Sequence, residues 1–111
     1  MISDCCEAVA DIWESVSIAS YFEACILSCR VGIRKPDPRI YQLVCDALGV
    51  TPSACLYVGD GGSHELTGAL RVGMEAALLS VPGESGDDPF RPDAVGWSGP
   101  VIHSLAELRT A

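Results

Sequence analysis

The chain has 111 residues, 49% of them hydrophobic, and a net charge of −8 from seven basic and fifteen acidic side chains. Its size suits one domain over 1–111, and its acidity excludes a nucleic-acid partner and an anionic membrane surface, both of which select basic faces. No apolar run approaches the ~20 residues of a membrane span, and MISDCCEAVADIW has neither the basic start nor the apolar core of a signal peptide.

Residues 4–15 read as a helix with Ala8, Val9, Ile12 and Trp13 on one face, and Ser17 to Phe22 as a short helix or turn. Glu23 to Ser28 is a short apolar strand, followed by a loop over 29–37. Asp37-Pro38 is an N-cap with proline at the first helical position. The helix it opens runs to Leu48, with Tyr41, Val44, Cys45 and Leu48 on one stripe and Gly49 as its stop.

Thr51-Pro52 begins another helical turn. Cys55 to Val58 is a continuous apolar run, as in a buried parallel strand. After the turn Gly59–Gly62, Ser63 is an N-cap for a helix carrying Leu66, Ala69, Leu70 and Gly73. Ala76 to Val81 is a third strand. Residues 82–99 form a loop whose most polar part is PGESGDDP, Val101-Ile102 is a minor strand, and Ser104 to Arg109 a closing helix. The alternation of strand and helix indicates an α/β fold with a mostly parallel sheet.

The six cysteines, Cys5, Cys6, Cys25, Cys29, Cys45 and Cys55, form no Cys-x-x-Cys pair. They read as buried or incidental free thiols, with Cys25, Cys45 and Cys55 acting as small hydrophobes; the alternative is a zinc site or a disulfide framework. A reduced, cytoplasmic setting is the expectation.

Asp60 stands just after a strand and Glu65 in the first turn of the next helix. Ligands bind beyond the carboxyl ends of strands in open α/β sheets, and two carboxylates there suit Mg²⁺. The same residues also read as a turn cap and a favourable charge at a helix start. Lys35, between Arg34 and a rigid Pro-Asp-Pro, serves either to neutralise a phosphate or as a solvated surface charge. Ser3 is a hydroxyl at a strand end or a cap for residues 4–15. His64 is an exposed first-turn residue and His103 a structural one.

No nucleophile with a placed base is evident. The turn Gly59 to His64 fails the dinucleotide pattern and lacks the Gly-Lys-Ser/Thr of a P-loop. Lys-Pro before the acidic strand end is the wrong order for a receiver domain.

GIRKPDP at 32–38 and VGDGGSHE at 58–65 resemble the third and fourth motifs of the haloacid dehalogenase superfamily of hydrolases. Ser3 resembles its second motif, so the likeness runs from Ser3 to about Leu79. The resemblance implies a Rossmann-like three-layer α/β/α core. It also implies that Ser3 and Lys35 hold a phosphoryl group, and that Lys35 steadies an aspartate nucleophile. Asp60 would bind Mg²⁺, with Glu65 directly or through water. The implied reaction is Mg²⁺-dependent hydrolysis of a small phosphorylated metabolite.

The family's first motif, Asp-x-Asp, has no counterpart before Ser3, where only Met1 and Ile2 stand. Asp87-Asp88 lies in the polar loop and Asp37 caps a helix, so neither replaces it. The cap domain that follows the first motif in the family is missing as well. The expectation is a truncated core with a gap in its sheet, inactive alone. Self-association or a partner chain would complete it. The alternatives are a non-catalytic module binding Mg²⁺, phosphate or protein, and one half of a split enzyme.

Overall fold

Helix α3 (Pro38–Leu48) is set by its ends: Asp37 Oδ1 accepts the Arg39 N–H at 2.9 Å, and Gly49 closes the helix at φ 69°. Between them, Ile40, Tyr41, Val44 and Cys45 are buried. They form one core with Leu66 and Ala69 of helix α4 (Glu65–Arg71) and with Met74, Ala76 and Leu78. Leu48, expected on the same stripe, is 40% exposed. The computed structural model describes residues 1–83 and 90–110, except the side chains at 109 and 110.

Strands β1 (Ile2–Ser3) and β2 (Ile26–Leu27) pair in parallel, Ile2 opposite Ile26 and Ser3 opposite Leu27. Strands β3 (Leu56–Gly59), β4 (Glu75–Leu79) and β5 (Val101–Ile102) form a second parallel sheet in that order. The architecture is the expected Rossmann-like α/β fold.

The two sheets are separate: among the described residues no ladder joins β1 to β3. Helix α3 packs on β1 and β2, α4 packs on β3 and β4, and the two helices touch each other. An apolar cavity of about 440 Å³ runs between the sheets, lined by Ile2, Tyr57, Val58, Met74 and Leu79 among others. The β3 run reads as a central strand but forms an edge, and Leu56 is 47% exposed. A continuous apolar strand left at an edge is unusual in a parallel sheet, whose strands are ordinarily covered on both sides.

Several local expectations change. The N-terminal helix shrinks to α1 (Glu7–Ile12) with a 3₁₀ turn at Trp13–Ser15, and none of its residues is buried. Its periodic stripe is real, but Val9 and Ile12 remain 40% and 55% exposed. Ser3 sits in a strand and caps no helix; the N-cap position falls to Cys6, which makes no side-chain cap bond. The loop over 29–37 begins as a single helical turn, α2 (Ser28–Val31), ended by Gly32 at φ 75°.

Ser63 is not an N-cap, because it and His64 both take left-handed backbone, at φ 56° and 52°. The loop after β4 contains a 3₁₀ turn at Pro92–Ala94, and the closing helix is 3₁₀ over Leu105–Thr110. The middle of that loop, 84–89 with Asp87 and Asp88, lies outside the described residues.

Candidate active site

β3 ends at Gly59, and the chain then reverses sharply before α4. Gly61 adopts φ 94°, and a side chain there would press on the backbone N of Ala94 at 2.7 Å. The left-handed pair Ser63-His64 completes the reversal and brings Glu65 back under the turn. Gly59 makes this return possible, since a Cβ at that position would overlap the Glu65 carboxylate.

Glu65 is only 5% exposed. Its Oε1 accepts from Lys35 Nζ at 3.0 Å and from the Tyr57 hydroxyl at 2.7 Å; its Oε2 accepts the Gly61 N–H at 3.0 Å. Lys35 is tied at its other end, where its backbone N–H donates to Asp4 Oδ1 at 3.0 Å. A continuous path, Asp4–Lys35–Glu65–Gly61, therefore runs from the end of β1 to the end of β3 across the break in the sheet. Ser3 ends β1, one residue before this path begins.

Asp60 stands at the outer side of the turn. Its side chain is 47% exposed; Oδ1 accepts the Gly62 N–H at 3.1 Å, and Oδ2 lies 3.3 Å from Arg91 Nε. Partial burial pushes its carboxyl up, but the Gly62 amide and the charges of Arg91 and Lys35 outweigh this and hold it below its ordinary value. Asp60 is thus an accessible, ionised carboxylate at a strand end. Mg²⁺ keeps several waters and takes one or two carboxylates together with substrate phosphate. Asp60 fits such a role directly. Glu65 is enclosed by three donors, and its geometry suits holding Lys35 and the turn. Among the described residues no group of three or more His, Cys, Asp or Glu could hold a metal ion unaided.

Four contributors were not singled out from sequence: Asp4, Tyr57, Arg91 and Asp93. Asp4 was legible only as the neighbour of Ser3, and its Oδ2 is buried without a hydrogen-bond partner among the described residues. Asp93, in the loop after β4, is buried. Its Oδ2 accepts the Thr67 N–H at 2.9 Å, and its Oδ1 accepts the Thr67 hydroxyl at 2.9 Å and lies 3.2 Å from His64 Nδ1. The Asp93 N–H donates to the Gly61 carbonyl at 3.1 Å, so the loop is strapped over the turn. His64 remains largely exposed, as expected. His103 Nδ1 lies 2.9 Å from the Ser80 carbonyl, a structural contact at the end of β4.

Asp93 gives a pH-dependent expectation. Burial raises its carboxyl, but the Thr67 amide and hydroxyl and His64 outweigh it and place the group below the usual carboxylate range. A depressed folded-state value contributes stability above the unfolded value of about 3.9 and loses it as pH falls through the folded value. Urea unfolding between about pH 5 and pH 3 should therefore show a steeper loss of stability for the native chain than for Asp93→Asn. Equal slopes would show that these contacts do not bias the titration.

A parallel α/β core with a lysine and two carboxylates gathered at its strand ends defines a site for phosphate, carboxylate or metal chemistry. The chain belongs to the haloacid dehalogenase-like hydrolases, whose family model matches residues 5–73. It is 32% identical over 108 residues to haloacid dehalogenase-like hydrolase domain-containing protein 3 of Bos taurus, covering 97% of this chain and 41% of that protein. It is 33% identical over 76 residues to phosphoserine phosphatase of Thermus thermophilus, covering 68% of this chain and 30% of that one. A crystal structure of a dehalogenase with an intermediate complex superposes with a TM-score of 0.69 at 27% identity, covering 98% of this chain and 46% of that one. The chain thus spans less than half the length of these relatives.

Proposed function

We propose that this chain carries the Lys35–Asp60 half of a Mg²⁺-dependent phosphatase site acting on a small phosphorylated metabolite, in the cytoplasm. The carrying observation is the path Asp4–Lys35–Glu65–Gly61, which ties the ends of β1 and β3 to each other beside an apolar slot. Ser3 and Lys35 would hold the phosphoryl oxygens, with Lys35 neutralising charge at the transferring group. Glu65 would keep the Lys35 ammonium aimed at that place. Asp60 would hold the metal, which when bound neutralises phosphate charge and orients the ester.

The slot between the sheets fits an extended apolar segment running parallel to β1 and β3. In this reading that segment, from further sequence or a partner chain, brings the attacking carboxylate, and the 111 residues alone turn over little substrate. A second reading is a non-catalytic module for Mg²⁺, phosphate or protein. It is favoured by the pairing of Lys35 with Glu65 and of Asp60 with Arg91, which leaves each charge already compensated.

The test starts with the intact mass of the protein made in its native host, followed by hydrolysis of a panel of phosphate esters by that native form with and without Mg²⁺. Metal-dependent turnover that drops about 10²-fold in Lys35→Ala supports the phosphatase. If the native form hydrolyses no ester, yet binds Mg²⁺ in a way that Asp60→Asn abolishes, the binding module is the better reading.

A further inference from the structure

The parallel register of β1 and β2 has an offset of 24 residues, with Ile2 opposite Ile26 and Ser3 opposite Leu27. Just past the strand ends, where the second segment turns into α2, the Cys5 backbone is tied to Ser28: Ser28 Oγ accepts the Cys5 N–H at 2.9 Å and lies 3.3 Å from the Cys5 carbonyl. The two sulfurs are 3.8 Å apart. Both cysteines are partly exposed and line an open cavity of about 510 Å³ with Asp4, Cys6 and Arg34.

We propose that Cys5 and Cys29 form an oxidisable dithiol site, closed to a disulfide by a hydroperoxide at the end of the β1–β2 pair.

Closing the bond brings the sulfurs from 3.8 Å to about 2.05 Å. The balance is simple. The Cys5 sulfur gives an electron pair to the terminal peroxide oxygen, forming a sulfenic acid and releasing water or an alcohol. The Cys29 sulfur then attacks the Cys5 sulfur, and the hydroxyl leaves with the Cys29 proton as water. Burial and the adjoining Cys5 thiol push the Cys29 thiol up, which disfavours it as the first sulfur to be oxidised.

The competing pair is less favourable. Cys45 and Cys55 also approach to 3.9 Å, but Cys45 is fully buried, and burial with the neighbouring Cys55 pushes its thiol up to about 11. An oxidant in water reaches that pair only from the Cys55 side, because Cys45 is shut off from solvent. Cys6 is exposed, and the amides of Val9 and Ala8 lower its thiol. It is therefore the site where an oxidant meets a lone thiol and leaves an unpaired sulfenic acid.

The experiment treats the native, reduced chain with a few equivalents of hydrogen peroxide, alkylates the remaining thiols and digests with a glutamyl endopeptidase. Cleavage at Glu7, Glu14 and Glu23 separates Cys5 from Cys29. In the Cys6→Ser chain the expected product before alkylation is about 2 Da lighter than the reduced form, and digestion yields one linked pair, residues 1–7 with residues 24–65, whose fragmentation places the bond at Cys5 and Cys29. Its unfolding midpoint rises by roughly 10 °C, because the bond closes a long loop in the unfolded chain. Cys6→Ser retains the link, whereas Cys5→Ser and Cys29→Ser each abolish it. A dominant Cys45–Cys55 link, or the same mixture of links as the chain gives in guanidinium, overturns the proposal. The readout is a mass and does not depend on the phosphatase reading.

Discussion

Replacing Glu65 with alanine should destabilise the fold by about 3–5 kcal/mol, the range for removing one partner of a buried ion pair. The cause lies in what is left behind. The Lys35 side chain is only 13% exposed, and its ammonium would lose its carboxylate partner at 3.0 Å. The Tyr57 hydroxyl and the Gly61 N–H would lose their acceptor in the same step. Unfolding in urea measures the loss as a lower midpoint with an unchanged slope. Lys35→Met should cost less, because Glu65 keeps two of its three donors. Combining Lys35→Met with Glu65→Ala should cost less than the sum of the two, since no uncompensated charge then stays inside. If Glu65→Ala alone stays within ~1 kcal/mol of the native chain, the path from β1 to β3 is not the frame it is taken for.

This frame also marks where sequence reading succeeds and where it stops. The Asp37-Pro38 start and Gly49 stop of α3 are local signals, and the structure realises both. Asp60, Glu65 and Lys35 were legible because strand ends, turns and helix starts can be located from pattern alone. What Glu65 does was not legible. Its enclosure depends on Tyr57, which points inward from β3, and on Lys35, thirty residues earlier. No local pattern encodes such a long-range contact.

Asp93 was hidden for the same reason: a lone acid in a Pro-rich loop looks like solvated surface until Thr67 and His64 are found against it. The break between β1 and β3 was foreseen only through the family's missing first motif, because the hydrophobicity of Leu56–Gly59 by itself describes a strand with neighbours on both sides. Ser63 failed as a cap because the local preference of serine for helix starts lost to the left-handed turn that returns Glu65 beneath Gly59.

Tyr41 is the second residue on which the fold turns, and Tyr41→Ala should cost about 3–5 kcal/mol as a large side chain lost from a core. It is fully buried on α3, its ring stands 5.6 Å from that of Tyr57, and its hydroxyl donates to the Glu65 carbonyl at 2.7 Å. That bond fastens the start of α4, and so the Glu65 side chain, to the helix that packs on β1 and β2. Tyr41→Phe isolates the hydroxyl and should cost about 1 kcal/mol, the net worth of one buried hydrogen bond. Burial, with the charges of Glu65, Asp4 and Asp93, holds the phenol well above its ordinary range. The hydroxyl is therefore a donor throughout neutral and mildly alkaline pH, and the cost of Tyr41→Phe should be flat there. The hydroxyl also explains a glycine: a Cβ on Gly68 would sit 2.5 Å from the Tyr41 oxygen and 2.8 Å from Pro36 Cβ. Gly68→Ala should consequently be less damaging in the Tyr41→Phe background than in the native one. Strict additivity of the two in a double-mutant cycle would count against this packing.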